Sequence, residues 1–262
     1  MSFTHLHVRI QNRVGYITIN NPPVNVLNRL AIAELHECFD SIQENPEIKA
    51  VIVTGAGKCF IAGADLKELA EAFDDQAKAE EMSRAGQRLF AKIENSHKPV
   101  IAVINGICLG GGLELAMSCH LRISADEARL GLPEMKLGII PGYGGTQRLS
   151  RLTNKAKALE LILTGEFISG TEAEKIGLVN HSVPSDDLMP KAVALAEGIA
   201  LERSAVSVKR AMEAVLAGFE MTLEEGQSLE SKYFGELFMT GDAKEGIMAF
   251  LEKRKAEFKE DL

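Results

Sequence analysis

The sequence predicts an α/β fold, and three observations predict it. Short apolar runs at residues 51–54 and 100–104 read as strands, and each ends in a turn containing glycine. Segments with apolar residues at helical spacing lie between and after them. Beyond about residue 201 the strand signals stop and only helical periodicity remains. Such β-then-α alternation suggests an α/β core in which ligands gather at strand ends.

Taken in order, residues 8–10 and 14–19 form short β-type runs around Asn12-Arg13, which reads as a hairpin. Pro22-Pro23 breaks the chain. Residues 27–42 then carry Leu30, Ala31, Leu35, Cys38, Phe39 and Ile42 at helical spacing. The strand at 51–54 ends at Gly55-Ala56-Gly57, and the one at 100–104 ends at Asn105-Gly106. A helix starts over residues 113–117, and 121–124 reads as another strand. Residues 205–216, 223–238 and 243–258 read as amphipathic helices. Their apolar faces include Leu229, Phe234, Leu237, Phe238, Ile247, Phe250 and Leu251. The expected division is an α/β core over residues 1–200 and a helical region over 201–262, which folds back on the core or packs against another subunit.

A chain of 262 residues, 46% hydrophobic and 25% charged, can bury a substantial core without disulfide or metal staples. Its net charge of −8 argues against a nucleic-acid-binding surface, so a polyanionic ligand must be met locally by a few cations or backbone N–H groups. Cys38, Cys59, Cys108 and Cys119 show no CxxC pair and no metal-like spacing with histidine, which suggests buried thiols in a reducing setting, read as cytoplasmic, though a matrix-like compartment would look the same. The N-terminus lacks a basic region followed by an apolar one, so no secretion signal is expected. No apolar run approaches the ~20 residues of a membrane span.

Several familiar motifs fail. Gly55-Ala56-Gly57-Lys58 lacks Walker spacing and is followed by Cys59, not Ser or Thr. Phe60 stands where a dinucleotide fingerprint needs its third glycine. Neither GxSxG nor HExxH occurs, and the six histidines do not cluster, so no metal is expected.

Three segments carry the chemical signal. Gly110-Gly111-Gly112 sits where a strand turns into a helix, where glycines permit a tight turn and the first N–H groups of the helix have no internal partner. Glu114 follows in the first turn. It either complements the helix dipole, worth ~0.3–1 kcal/mol, or is a buried carboxyl with a raised pKa suited to proton transfer. The apolar flanks Leu113, Leu115, Ala116 and Met117 favour burial. Glu134 lies in a Pro- and Gly-punctuated apolar stretch, as a loop acid beside Lys136 or as a second working carboxyl. Gly142 to Gly145 are either turn glycines or a place where backbone N–H groups approach a ligand or water. Ala62-Gly63-Ala64 follows the first inner strand with small residues that permit close approach, and Asp65 reads as a helix N-cap.

Those segments closely resemble the crotonase, or enoyl-CoA hydratase, superfamily. The matching stretches are FIAGAD at 60–65, NGICLGGGLELA at 105–116 and LPEMKLGIIPGYGGTQR at 132–148, with further likeness over essentially the whole chain. The resemblance implies a crotonase-like spiral core of repeated ββα turns and a helical C-terminal trimerisation region. It implies that the N–H groups of Ala64 and Gly111 form an oxyanion hole for a thioester carbonyl. Glu114 and Glu134 would hold the attacking water, Glu114 activating it and Glu134 protonating the α-carbon, with Gly142 N–H helping to position it. Lys58, Phe60, Ala62 and Ala64 would line the coenzyme A site, and Phe234, Phe250 and Lys253 would reach CoA from a neighbouring subunit. The implied reaction is syn hydration of a trans-2-enoyl-CoA, in fatty-acid or related acyl-CoA degradation, with no cofactor beyond the CoA of the substrate. The implied assembly is a homohexamer, a dimer of trimers, with neither nucleic acid nor membrane as partner.

His120 and Tyr143 stand where many members carry Asp and a small residue. Neither is a family catalytic position, though Tyr143 beside the water site bears on acyl-pocket shape. The superfamily reuses the oxyanion hole for isomerases, hydrolases and other acyl-CoA enzymes, so the carboxylate pair is what favours hydration. An inactive binding relative is disfavoured by the retained carboxyls and glycines.

Overall fold

The computed structural model describes residues 3–259. Strands β1 (Leu6–Gln11) and β2 (Val14–Ile19) pair antiparallel, with Leu6 opposite Ile19 and Gln11 opposite Val14. Asn12 and Arg13 turn the expected hairpin with φ of 51° and 61°, the left-handed pair whose twist matches the flanking strands. Helix α1 (Arg29–Glu44) begins at Asn28, whose side chain accepts from the Ala31 N–H at 2.8 Å. Its buried stripe holds Ala31, Ile32, Leu35, Cys38, Phe39 and Ile42. Leu30, expected on that stripe, is 47% exposed. It lies five residues before Leu35, about 140° round the helix.

The chain then winds through repeated turns. The first holds β3 (Ala50–Gly55), β4 (Cys59–Ile61), α2 (Leu66–Ala70) and α3 (Gln76–Glu94). In the second come β5 (Val100–Ile104), β6 (Ile107–Leu109) and α4 (Gly111–Ser118). A third contains β7 (Leu121–Ala125), β8 (Arg129–Gly131), a 3-10 turn at Pro133–Leu137, α5 (Gly145–Leu152) and α6 (Lys155–Thr164). After β9 (Ile168–Ser169), α7 (Gly170–Lys175) and β10 (His181–Val183), the long α8 (Ser185–Glu202) closes the core.

Two sheets result, ordered β1-β2-β3-β5-β7-β10 and β4-β6-β8-β9. Each turn of the spiral therefore adds one strand to each sheet, in the same sequence. From β2 through β7 to β10 the larger sheet is parallel, and so are β4, β6 and β8 in the smaller. Every residue of β3 and β5 is buried, which explains their unbroken Val and Ile runs. On α8, Leu188, Ala192, Ala196 and Ala200 form a buried stripe, and the helix packs on β3, β5 and β7.

From Ser185 onward the described elements are helices, beginning with the core-packed α8. Helices α9 (Ala205–Gly218), α10 (Leu223–Leu237) and α11 (Gly241–Leu251) follow. The helix expected over 243–258 is shorter, because Lys253 adopts φ 57° and reverses the chain. Arg254 then pairs with the Glu245 carboxylate, the Glu257 N–H donates to it at 2.9 Å, and Phe258 returns over Gly246. Phe258 kept the apolar rhythm of a helix while belonging to a folded-back strap. All four cysteines are buried and unpaired, and burial pushes the Cys38 and Cys119 thiols up to about 12.

Candidate active site

The sequence-singled residues converge because three neighbouring strands of the smaller sheet end side by side. Ala64 lies three residues beyond β4, Gly111 two beyond β6 and Glu134 three beyond β8. The chain leaving β4 is pinned by Leu27, whose N–H donates to the Gly63 carbonyl while its own carbonyl accepts from Asp65. The Ala64 N–H takes no part in that bridge. Asp65 is the expected N-cap, accepting from the Lys67 N–H at 2.8 Å. Gly110 turns the chain into α4 with φ 51°, and its N–H donates to the Gly131 carbonyl at 2.9 Å. A Cβ on Gly112 would lie 2.3 Å from the Ile61 carbonyl oxygen, so only glycine lets α4 approach β4 this closely. Gly111 is the first residue of α4, and its N–H has no partner within the helix.

Glu114 sits on α4, all of whose residues are buried, and is itself 1% exposed. Its Oε1 accepts the N–H of Tyr143 at 2.8 Å and of Gly145 at 2.7 Å. Burial raises its pKa from 4.5 to about 7, and the nearby Glu134 charge pushes the same way. The two N–H groups and the Arg148 cation pull against this rise. Such a group changes charge near neutrality, as a general base must. The helix-dipole alternative alone does not account for a carboxyl so thoroughly enclosed.

Glu134 opens the 3-10 turn, in the first turn after Pro133. Its Oε1 lies where a Cβ on Gly110 would meet it at 2.7 Å. The Oε2 atom is buried and has no protein hydrogen-bond partner. Burial raises the pKa of this carboxyl too. Lys136 does not neutralise it, since its Nζ lies 5.1 Å from the Phe167 ring centroid. The Glu134 charge in turn adds to the upward shift of Glu114.

The remaining expected residues fall into two groups. Lys58 lies in the exposed turn before β4, while Ala62, half-buried, spends its N–H on the Val24 carbonyl at 3.1 Å. The Phe60 ring is fully buried in the core. Only the backbone at that position can meet a ligand, because the side chain alternates inward along β4. Phe234, Phe250 and Lys253 lie on or just beyond α10 and α11, outside the strand-end cluster, and Phe250 is 83% exposed. Gly142 is held by its carbonyl, which accepts from Ser83 Oγ at 2.5 Å and Gln87 Nε2 at 2.8 Å.

Sequence reading missed two features: Tyr143 and Gly145 supply the donors to Glu114, and Arg148 braces their turn. The Tyr143 ring, singled out beside the water site in the sequence, packs against α3 and the start of α4. A Cβ on Gly86 would lie 2.3 Å from that ring and one on Gly111 3.2 Å, and Phe90 meets it edge-on at 5.6 Å. The available signal was the glycine run 142–145 opening directly into a helix. Among the described residues no cluster of His, Cys, Asp or Glu could hold a metal ion, and no helix is long and apolar enough to cross a membrane.

Two carboxyls whose pKa values burial raises, beside backbone N–H groups free to meet a ligand, suit a reaction that moves protons while an oxyanion forms. Comparison with known proteins agrees with this chemistry. A family model described as enoyl-CoA hydratase/isomerase matches residues 9–261. A probable enoyl-CoA hydratase of Bacillus subtilis is 45% identical over 255 residues, covering 97% of this chain and 98% of the relative. A short-chain-enoyl-CoA hydratase of Clostridium acetobutylicum is 41% identical over 259 residues, covering 98% of each. The crystal structure of an enoyl-CoA hydratase from Bacillus anthracis superposes with a TM-score of 0.93 at 39% identity, over 98% of this chain and 99% of that one. Its spiral core and nearly full-length matches show that the chain belongs to the enoyl-CoA hydratase/isomerase family.

Proposed function

We propose that this protein is an enoyl-CoA hydratase, adding water across the double bond of a trans-2-enoyl-CoA to give a 3-hydroxyacyl-CoA. The observation that carries the reading is the presence of two carboxyls, Glu114 and Glu134, both raised toward neutrality by burial in one cluster. Isomerisation needs a single proton-shuttling base, whereas water addition uses one carboxyl to activate water and one to supply a proton.

The Ala64 and Gly111 N–H groups polarise the thioester carbonyl and stabilise the enolate, an effect of roughly 3–4 kcal/mol for one such donor. Glu114, charged through its two backbone donors, takes a proton from water as the oxygen attacks the β-carbon. The enolate collapses by taking a proton from Glu134 at the α-carbon. Proton transfer from Glu114 back to Glu134 then restores the pair, so the reaction consumes only water. Gly142 N–H positions that water, and the chain needs no metal or redox cofactor.

The coenzyme A portion follows the backbone at Lys58, Phe60, Ala62 and Ala64. Phe234, Phe250 and Lys253 contact it from a neighbouring copy in a hexamer built as a dimer of trimers. Their exposure in the single chain supports a role between subunits. The reaction serves fatty-acid or related acyl-CoA degradation in the cytoplasm. Crotonyl-CoA tests the proposal, by loss of the conjugated enoyl-thioester absorbance. Glu114→Gln and Glu134→Gln should each lose activity by about 10³-fold or more while still binding CoA thioester. Near-wild-type rates in either variant, or no hydration at any acyl length by the wild type, would overturn it.

A further inference from the structure

The Glu114 donors belong to a turn with no side-chain cap of its own, so something else must hold it. That turn, residues 142–145, leads into α5, whose N-cap Gly144 has φ 107° and makes no side-chain capping bond. Beneath it lies Arg148. Its Nη1 donates to the Tyr143 carbonyl at 3.0 Å, and a Cβ on Gly144 would meet Nη1 at 2.4 Å. The other edge of the guanidinium grips Glu94 at the end of α3, Nε to Oε1 at 3.0 Å and Nη2 to Oε2 at 2.8 Å. Glu94 is anchored in turn by His120. The His120 Nδ1 accepts from the Val100 N–H at 2.9 Å, which leaves Nε2–H to donate to the Glu94 carbonyl at 3.2 Å. Burial lowers the His120 pKa to about 4, so this tautomer stays neutral.

We propose that Arg148 is a positioning residue for the reaction: fixed by Glu94, it holds the Tyr143 carbonyl and so aims the Tyr143 and Gly145 N–H groups at Glu114. This rests on the hydratase reading for its kinetic consequence but not for its electrostatic one. The charged groups that reach Glu114 are Glu134, from the 3-10 turn, and Arg148, from α5. Glu94 on α3 is occupied by Arg148, and Arg122 on β7 donates to the Ala116 and Cys119 carbonyls at the far end of α4. Arg148 is therefore the cation that opposes the effect of burial on Glu114.

The test separates tether from charge. The Glu114 titration midpoint is read by pH-difference infrared spectroscopy, its carboxyl band being the one lost in Glu114→Gln. In Arg148→Met the midpoint should move to higher pH, with kcat down about 10- to 100-fold and KM within about threefold of wild type. Arg148→Lys keeps the charge but cannot span both Glu94 and Tyr143, so kcat should fall while the midpoint rises less than in Arg148→Met. Glu94→Gln loses the tether and keeps the cation, with the same split expected. An unmoved midpoint in folded Arg148→Met, or undiminished kcat in Arg148→Lys, overturns the proposal. A midpoint that moves in a protein unable to hydrate enoyl-CoA would instead sink the hydratase reading and leave the electrostatic role of Arg148 standing.

Discussion

Gly145 donates its N–H to Oε1 of Glu114 at 2.7 Å, and a Cβ on Gly145 would sit 2.9 Å from that same oxygen. The bond and the exclusion act together, for only a residue without a side chain can approach so closely. Gly145→Ala should therefore displace the carboxylate, lowering kcat about 10- to 100-fold. Crowding against Glu114 and Pro141 should cost about 1–3 kcal/mol of stability, read by urea denaturation.

The charge on Glu114 makes both rate and stability depend on pH. With burial holding its pKa at about 7, kcat/KM for enoyl-CoA should fall as pH drops through that value. For stability the sign is opposite. Between 4.5 and about 7 the folded protein binds the proton that the unfolded chain has released, so stability declines as pH rises through that window. Glu114→Gln has no such penalty. Its stability relative to wild type should improve by up to roughly 3 kcal/mol on going from pH 5 to pH 8, measured by paired denaturant melts.

Gly110 holds Glu134 in place by what it lacks. Its φ is 51°, and an added Cβ would press on Glu134 Oε1 at 2.7 Å. Gly177, at φ 78°, has no side chain so near. Alanine at Gly177 should cost about 1–2 kcal/mol through left-handed strain, and at Gly110, whose ψ of −125° lies in a region essentially confined to glycine, at least as much. Only Gly110→Ala should also lose hydration activity, by about tenfold or more. Equal activity loss in the two variants would count against the role of Glu134.

The Tyr143 ring fills the space between Gly86 and Phe90 on α3 and Gly111 and Leu27 near the site. Tyr143→Ala should open that space and move the preferred substrate to longer acyl chains. Each methylene that enters should raise relative kcat/KM about fourfold, given ~0.8 kcal/mol per buried CH₂. A series of enoyl-CoA lengths checks this, and an unchanged profile would remove Tyr143 from the acyl pocket.

The parts legible in the sequence were those written locally. The hairpin at Asn12-Arg13, the long buried strands and the Asp65 cap each depend on residues within a few positions of one another. Burial of Glu114 was readable from its apolar neighbours. Its hydrogen-bond partners were not, because they come from 29 and 31 residues further along. Strands β4, β6 and β8 have three residues each, too few for periodicity to register, and they set the site. The surroundings of Glu134 were likewise hidden from the sequence, since tertiary structure sends its neighbour Lys136 to Phe167. At residues 252–258 the apolar spacing persists without the helix, since the turn at Lys253 is a backbone event that periodicity does not encode.

The spiral also divides labour along the chain. Ala64 comes from the first coil, Gly111 and Glu114 from the second, and Glu134 with the turn that bonds Glu114 from the third. On the proposed reaction, the carbonyl donors come from the first two coils and the proton-handling carboxyls from the second and third. Substitutions confined to the third coil could retool what happens to the acyl group while its anchoring survives untouched. One scaffold can in this way give rise to new reactions by revising a single loop of its thread.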